Sequence, residues 1–246
     1  MTLPLGDTIP IFVGTSALPC PYLPGKIERK VITQIPTQHA DQFHADLIRA
    51  GFRRSHGMAY RPACPSCTEC RPVRIDASCF QLGRRFRRAR RACRVLTWRE
   101  CEPVATREQY GLFRRYQTDR HIGGDMEGMS YASYQAMIEE TPVDTRVVEA
   151  RDQDGSLIAV SLTDRLSDGL SGIYKFWDPA RRQDSLGTAT ILWHILRVQS
   201  LDLRYFYLGY WIPRSSKMAY KRRFQPLEEL TERGWVRQGG SATRAS

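Results

Sequence analysis

The stretch LSGIYKFW at 170–177, with SLGTATILWHILRVQSL at 185–201 and RYFYLGYW at 204–211, decides the fold of this chain. The first and third segments are apolar runs typical of buried strands, and the second has the period of an amphipathic helix. A strand, a helix and a strand joined by short loops predict two parallel strands linked by a right-handed crossover.

A second pattern precedes this unit and extends it. RVVEAR, the turn DQDG and SLIAVSLTDRL, together residues 146–166, predict a β-hairpin. A hairpin that leads into a strand, helix and strand is the layout expected of an acyltransferase of the acetyltransferase-like (GNAT) superfamily. We therefore expect an α+β fold in which a small N-terminal cysteine-containing domain precedes a GNAT-like mixed-sheet domain.

The remaining patterns divide the chain. The segment VRIDASCF at 73–80 alternates apolar and polar residues as a half-buried strand does, and it closes a small unit over residues 1–80. We expect an arginine-rich connecting segment at 81–105, the GNAT-like domain at 106–236 and a flexible polar tail at 237–246.

Composition limits the class of protein. The chain has 246 residues, of which 41% are hydrophobic, so it is long enough for a substantial core. No segment approaches the roughly 18 apolar residues of a membrane span, and the first residues do not resemble a signal peptide. We expect a cytoplasmic protein with no membrane partner and with its seven cysteines reduced.

Positive charge is concentrated in one segment. The formal net charge is +11, and RRFRRARRACR at 84–94 holds seven arginines and no acid. Such a run repels itself unless phosphates or carboxylates neutralise it, so it is either a nucleic-acid contact or a charged surface between domains. The candidate nucleic-acid-binding residues are Arg84, Arg85, Arg87, Arg88, Arg90 and Arg91.

Several longer segments carry a family resemblance. They are CPYLPG (20–25), YRPACPSCTECRPVR (60–74), DGLSGIYKFWDP (168–179), SLGTATILWHI (185–195) and YFYLGYWIPRSSKMAYKRRFQPLE (205–228). They resemble the arginyl-tRNA-protein transferase family and, within it, the bacterial aspartate/glutamate leucyltransferases. The resemblance runs from about Cys20 to Glu228 and implies an enzyme that needs no cofactor for transfer.

The activity that this resemblance implies has two macromolecular substrates. Leucine would move from Leu-tRNA to the N-terminal amine of a protein that begins with Asp or Glu, and the product would be degraded through the N-degron pathway. Leucine rather than arginine as the donor rests on the bacterial branch alone. Two alternatives are an acetyl-CoA-dependent N-acetyltransferase and a non-enzymatic, zinc-dependent RNA-binding module.

The acetyl-CoA alternative is open to a sequence test. Coenzyme A pyrophosphate is typically held by a basic, glycine-rich loop that leads into a helix N-terminus. The equivalent loop here is RRQDSLGT at 181–188, where Asp184 would oppose a pyrophosphate and Leu186 replaces a small residue.

Two residues, one within the predicted strand at 170–177 and one directly after it, are candidates for catalysis. Aminolysis of an ester needs a neutral amine, and an N-terminal amine has a pKa of about 7.7 to 8.0, so positioning should contribute most. Asp178 follows the strand and either orients or deprotonates that amine or only begins an Asp-Pro turn. Tyr174 either hydrogen-bonds the ester or packs in the core.

The acidic side chain of the acceptor requires a cationic pocket. Lys217, Tyr220 and Lys221 have the spacing of one helical face in SSKMAYKRRF, and they form either this pocket or a solvated basic surface. Arg120 and His121, where the predicted helix at 107–120 ends, are further candidates.

The sequence is compatible with three roles for the cysteine cluster. Cys64, Cys67 and Cys70 have the spacing of metal ligands, and Cys20 is a possible distant fourth ligand for zinc or an iron-sulfur cluster. In the eukaryotic branch the corresponding first motif has a C-x-x-C pair, whereas Leu23 stands at the second position here. The other readings are structural or tRNA-contacting thiols and a catalytic thiol.

Overall fold

The N-terminal part of the chain forms a small layer of strands. The computed structural model describes residues 10–124 and 126–238, so the predicted tail lies outside these residues except for Arg237 and Gln238. The four-stranded sheet of this layer has the order β1-β4-β6-β5 and consists of β1 (Val13–Gly14), β4 (Lys30–Gln34), β5 (Arg53–Ser55) and β6 (Met58–Pro62). Two further strands, β2 (Leu18–Pro19) and β3 (Ile27–Glu28), pair with each other.

A large mixed sheet holds the rest of the strands. Its members are β7 (Arg71–Asp76), β8 (Thr97–Cys101), β9 (Thr145–Arg151), β10 (Leu157–Leu166), β11 (Gly169–Trp177), β12 (Tyr205–Trp211), β13 (Leu227–Thr231) and β14 (Gly234–Arg237). Their order is β14-β13-β7-β12-β11-β10-β9-β8, and β11 with β12 is the one parallel pair that the described residues contain.

Helices cover both faces of the large sheet. They are α1 (Ala40–Arg49), α2 (Arg87–Val95), α3 (Arg107–Arg120), α4 (Tyr131–Glu139) and α5 (Leu186–Ser200). Short 3-10 helices lie at Ala77–Cys79, Arg84–Phe86, Pro179–Asp184 and Ser216–Arg223. In the described part of the chain, no helix combines the length and apolar character needed to cross a membrane.

The strand, helix and strand unit forms as the sequence predicts. Antiparallel β9 and β10 are the hairpin, and α5 connects β11 to the parallel β12. Helices α2 and α5 pack on one face of this sheet, while α3 and α4 pack on the other. The predicted α+β class, with a small N-terminal sheet and a large mixed sheet, is therefore confirmed.

Strand β7 connects the two parts of the molecule. Its alternation was visible in the sequence, but its partners are distant in the chain, because it lies between β12 and β13. Val73 and Ile75 point into the core under α5, and both are essentially buried. Residues 71–76 thus contribute a central strand to the large sheet.

A buried charge cluster joins the small sheet to the large one. Asp164 of β10 accepts hydrogen bonds from Arg54 Nε and Nη2, both at 2.7 Å, and from Thr145 Oγ1 at 2.8 Å. His44 of α1 lies 2.9 Å from the same carboxylate. Arg54 and the other cluster interactions hold the pKa of Asp164 down at about 2, although burial alone would raise it. The ion pair between Arg54 and Asp164 fixes β5 against β10.

Candidate active site

Strands β11 and β12 separate after only three paired residues. They pair over Gly169–Ser171 and Tyr205–Tyr207, and β12 then bends at an irregularity between Tyr207 and Gly209. Gly209 has φ +70°, in the left-handed region that favours glycine. The gap between the diverging strands is called the cleft below. Its wide end lies at the carboxyl ends of both strands.

Arg53 of β5 occupies the narrow end of the cleft. Its guanidinium donates to the carbonyl oxygens of Gly172 at 3.0 Å and Ile173 at 2.8 Å on β11, and to that of Leu208 at 3.2 Å on β12. These carbonyls lie where β11 and β12 have already separated, so neither strand donates ladder hydrogen bonds to the other. Arg53 therefore replaces the missing ladder hydrogen bonds, which buried backbone groups require.

Two lysines lie in the walls of the cleft. Lys221 is buried, and its ammonium donates to Leu208 O at 2.8 Å and also to Tyr210 O. Lys175 of β11 donates to Gly187 O at 3.1 Å, beside the start of α5, and lies 5.3 Å from the centre of the Tyr220 ring. Burial and the nearby Arg53 lower the pKa of Lys175 to about 7 and also lower that of Lys221.

The cleft carries uncompensated positive charge. Arg53, Lys175 and Lys221 form no ion pair with any carboxylate in residues 10–124 and 126–238. Lys221 is buried and both Arg53 and Lys175 are half-buried. Cations withdrawn from water are normally paired, so a site that leaves them with carbonyl partners alone is suited to bind an anion. Of the three, Lys175 has a single protein acceptor and keeps two free N–H groups.

Tyr174 lies on β11 with its hydroxyl positioned by a buried glutamine. Gln117 of α3 donates from Nε2 to Tyr174 Oη at 2.6 Å. The phenol therefore uses its oxygen as an acceptor, and its own proton is free for another partner. Burial raises the pKa of Tyr174, so the proton is retained at neutral pH. The ring also packs against Phe113 and Phe176, which fixes its orientation.

Asp178 follows β11 directly and forms the predicted Asp-Pro turn. Its Oδ1 accepts the Ala180 N–H at 3.0 Å and caps the 3-10 helix that begins at Pro179. The side chain is half-buried, and its second carboxylate oxygen has no protein donor among the described residues. The turn role and a role toward a ligand are compatible, because they use different oxygens.

The helical face expected for Lys217, Tyr220 and Lys221 does not form. Residues 216–223 are a 3-10 helix, in which positions three apart are eclipsed and position i+4 is rotated away. Lys221 consequently turns into the sheet, while Lys217 is exposed. Tyr220 is half-buried beside Lys175.

The candidates at the end of α3 lie on the surface. His121 and Arg120 are exposed, and Arg120 forms an ion pair with Asp119 at 3.3 Å. Burial, Lys217 and Arg120 all lower the pKa of His121. Lys217 and Arg120 therefore lie close enough to His121 to affect its charge. The buried Lys221 is not part of this exposed group.

The loop tested for pyrophosphate binding has its arginines engaged. Arg181 pairs with Asp184 at 2.8 Å and with Asp152 at 3.3 Å, and Arg182 pairs with Asp119. A pyrophosphate would have to compete with these carboxylates. The structure gives the acetyl-CoA alternative no support at this loop.

Helix α2 presents its arginines to solvent. Phe86, Ala89 and Ala92 are buried in the core beside α5, and Cys93 donates to Ala189 O at 3.3 Å. The exposed residues are Arg84, Arg85, Arg87, Arg88, Arg90 and Arg91. None of them pairs with a carboxylate of the residues that the structure describes. The helix is docked on the core, and its arginines are exposed to solvent.

The cysteine cluster does not form the expected metal site. Within residues 10–124 and 126–238, no three His, Cys, Asp or Glu side chains are arranged to hold a metal ion. Burial and, after it, the neighbouring Cys20, Cys64 and Cys67 raise the pKa of the Cys70 thiol to about 12. A neutral thiol is a poor nucleophile, so these surroundings do not favour the catalytic role. The zinc or iron-sulfur prediction is therefore not supported by these residues.

Sequence reasoning missed three residues of the cleft. Arg53 comes from a strand remote in sequence, and nothing local marks it. Lys175 carried a usable signal, because it is a charged residue inside an apolar strand. Gly209 carried another, since an isolated glycine within a strand indicates a bulge or a close approach.

Two family models match this chain over most of its length. The one described as "Arginine-tRNA-protein transferase, N terminus" matches residues 18–88, and the one described as "Arginine-tRNA-protein transferase, C terminus" matches residues 108–231. The first contains Arg53 and the cysteine cluster. The second contains Tyr174, Lys175, Asp178 and Lys221.

Curated proteins are similar over nearly the whole chain. An aspartate/glutamate leucyltransferase of Paramagnetospirillum magneticum is 49% identical over 226 residues, which is 92% of this chain and 93% of that protein. One of Gluconacetobacter diazotrophicus is 48% identical over 226 residues, 92% of this chain and 87% of that protein. Among solved structures, L-PGS from Bacillus licheniformis is 13% identical with a TM-score of 0.44, covering 58% of this chain and 47% of that one.

We predict that Gly209→Ala opens the narrow end of the cleft. A Cβ at this position would overlap the Arg53 guanidinium and would also strain a backbone with φ +70°. The free energy of unfolding should fall by about 2 kcal/mol or more, measured by urea denaturation.

The matched control is Gly155→Ala. Gly155 has φ +80° but nothing within 4 Å of an added Cβ, so it should show only the backbone cost, about 1 kcal/mol. Arg53→Ala combined with Gly209→Ala should be less destabilised than the sum of the single changes. Equal losses for the two glycine variants would contradict the packing explanation.

Proposed function

The chain belongs to the arginine-tRNA-protein transferase family and is an aminoacyl-tRNA-protein transferase, and from this premise we propose that it moves leucine from leucyl-tRNA to the N-terminal amine of proteins that begin with Asp or Glu. The new N-terminal leucine then directs the product to degradation by the N-degron pathway. We propose the cytoplasm as its place of action, since both substrates occur there.

The observation that carries the proposal is the cleft with its unpaired cations. The cleft lies where the parallel strands β11 and β12 diverge, so the end of an extended substrate can lie between them. Lys175 and Lys221 line its walls. The six exposed arginines within residues 84–91 lie in α2 or in the 3-10 helix directly before it, and α2 packs against α5, whose first turn borders the cleft. Cations on the surface and cations in the cleft suit an RNA whose end must enter a pocket.

The reaction itself needs only its two substrates. The acceptor nitrogen attacks the carbonyl carbon of the leucyl ester, a C–N bond forms, and the bond from that carbon to the tRNA 3′ oxygen breaks. The nitrogen loses a proton, and the 3′ oxygen gains one. An ester and an amine balance this step, so aminoacyl transfer needs no cofactor.

Tyr174 and Asp178 have the properties that the two proton transfers require. Because Gln117 donates to Tyr174 Oη at 2.6 Å, the tyrosine proton can be donated to the departing 3′ oxygen or to the oxyanion. The free oxygen of Asp178 can accept a hydrogen bond from the attacking amine and orient it. Tyr174 lies in the part of β11 that is no longer paired with β12, and Asp178 follows directly after that strand.

We propose that Lys175 binds the acidic side chain of the acceptor. It is the cleft cation with the most unused donors, and Tyr220 beside it supplies a further hydroxyl. Lys221 and Arg53 add positive potential from behind, although their own donors are used by carbonyls. The exposed cations Lys217 and Arg120 would draw an acidic N-terminus toward the cleft, whereas the lowered pKa of His121 keeps that imidazole neutral at neutral pH.

The first prediction from this proposal concerns the substrates. Purified protein should transfer labelled leucine from Leu-tRNA to peptides that begin with Asp or Glu. Matched peptides that begin with Asn, Gln or Ala should stay unlabelled, because they lack the carboxylate. Arg-tRNA in place of Leu-tRNA tests the donor. Transfer to the Ala peptide at a comparable rate would contradict the acidic pocket.

The second prediction separates catalysis from structure at β11. Tyr174→Phe should lower kcat by about 10²-fold with little change in either KM, since it removes a proton donor without changing the packing. Asp178→Asn keeps an N-cap acceptor for the Ala180 N–H, so thermal stability should be retained while kcat falls. An unchanged kcat in Asp178→Asn would leave that carboxylate with its turn role alone.

The third prediction concerns pH. Because the pKa of Lys175 is about 7 in the empty cleft, an acceptor carboxylate binds best while the lysine is charged and raises its pKa on binding. The KM for a Glu peptide should therefore be flat below about pH 7, rise as the pH passes the pKa of the empty site, and level off above the pKa of the occupied site. Steady-state kinetics from about pH 6 to about pH 9 measures this.

Lys175→Arg is the matched variant for this pH dependence. Arginine keeps its charge throughout the range, so its KM for the Glu peptide should stay flat. The titration of the acceptor amine affects both proteins alike and cancels in the comparison. A KM that rises identically in both proteins would exclude Lys175 as the source.

A further inference from the structure

A basic groove lies beside the cleft, on the far side of the Ser216–Arg223 helix. It has a volume of about 750 Å³ and includes Arg71, Trp211, Arg222, Gln225 and Arg237 in its lining. Arg71 is the first residue of β7 and pairs with Trp211, the last residue of β12. The groove is therefore at the same end of the sheet as the wide end of the cleft.

The groove has excess positive charge. Arg222 and Arg237 are exposed and pair with no carboxylate among the described residues. Arg71 pairs with Glu229 at 3.2 Å, and Glu229 also accepts from Gln238 at 2.7 Å. One carboxylate thus faces three arginines, which leaves two charges for an external anion.

Trp211 adds an aromatic wall and an unused donor. The residue is only 7% exposed, and its indole N–H has no acceptor in the described part of the chain. The Arg71 guanidinium lies 5.8 Å from its ring centre. Buried N–H donors are normally paired, so this one indicates a missing acceptor oxygen. Arginines, an amide and an indole together are typical of sites for nucleic-acid backbones.

The groove is continuous with the two features already assigned to RNA. Lys221 turns into the cleft from the 3-10 helix, and the next residue, Arg222, lines the groove. Phe224, which follows that helix, stacks on Phe86 at the start of α2, with ring centres 5.1 Å apart. The cleft and the groove are thus separated by roughly the width of one helix, about 10 Å.

We propose that this groove binds phosphates of the tRNA acceptor arm while the aminoacylated end occupies the cleft. This inference rests on the proposed function, because it takes leucyl-tRNA as the donor. An arm held at the groove directs the single-stranded 3′ end across the 3-10 helix into the cleft. The groove then contributes to donor affinity and not to the chemical step.

The test compares two variants with the same change of charge. Arg222→Glu with Arg237→Glu alters the groove, whereas Arg99→Glu with Arg233→Glu alters two exposed arginines without ion pairs at the edge strand β8 and at the β13–β14 turn. Binding of uncharged tRNA is measured as a function of salt. Only the groove variant should bind about tenfold or more weakly, with a log-log salt slope smaller by about 2.

Transfer kinetics provide the second readout. The groove variant should raise the KM for leucyl-tRNA and leave kcat and the peptide KM unchanged. A leucylated CCA trinucleotide, which lacks the arm, should be used equally by the groove variant and the wild type. In the same binding assay, Arg87→Glu with Arg88→Glu tests the α2 surface.

Each contrary outcome has a distinct meaning. Equal weakening by both charge variants would show a bulk electrostatic effect and overturn the groove, as would tRNA binding by the groove variant at wild-type strength. A raised peptide KM with an unchanged donor KM would make the groove a protein-docking surface. If wild-type protein transfers no leucine but the groove variant alone loses tRNA binding, the proposed function fails and the groove stands.

Discussion

Two adjacent arginines of β5 determine the geometry of this molecule. Neighbouring residues of a strand point to opposite sides, so Arg54 and Arg53 enter different environments. Arg54 makes two hydrogen bonds of 2.7 Å to the buried Asp164, and this pair fixes the small sheet on β10. Arg53 is thereby placed between β11 and β12, where it satisfies carbonyls on both. Without this cation the strands could not remain apart with their backbone groups buried.

The cost of this arrangement explains where the chemistry lies. Burial lowers the pKa of Lys175 and of Lys221, and the neighbouring Arg53 lowers both further. A site optimised for stability would pair them with carboxylates or replace them with apolar residues. Retaining them is understandable if an anionic substrate completes the set. Perturbed groups of this kind concentrate at functional sites.

Local pattern predicted most of the fold and only part of the site. The spacing of apolar residues over 146–211 predicted the β9–β10 hairpin, β11, α5 and the parallel β12, because each of these elements is determined by residues close together in sequence. The partners of β7 and the position of Arg53 depend on contacts between distant residues, which periodicity does not report. The 3-10 helix at 216–223 also escaped prediction, since its spacing differs from an α-helix by a fraction of a residue per turn.

The central position of β7 has a consequence for how the chain is made. This strand leaves the ribosome early, but both of its neighbours, β12 and β13, belong to the last part to be synthesised. The apolar side chains of Val73 and Ile75 are therefore uncovered during most of translation. Pairings of high contact order form slowly, and the unpaired strand exposes edges that favour aggregation. Until β12 and β13 have been synthesised, β7 therefore has no partner on either side.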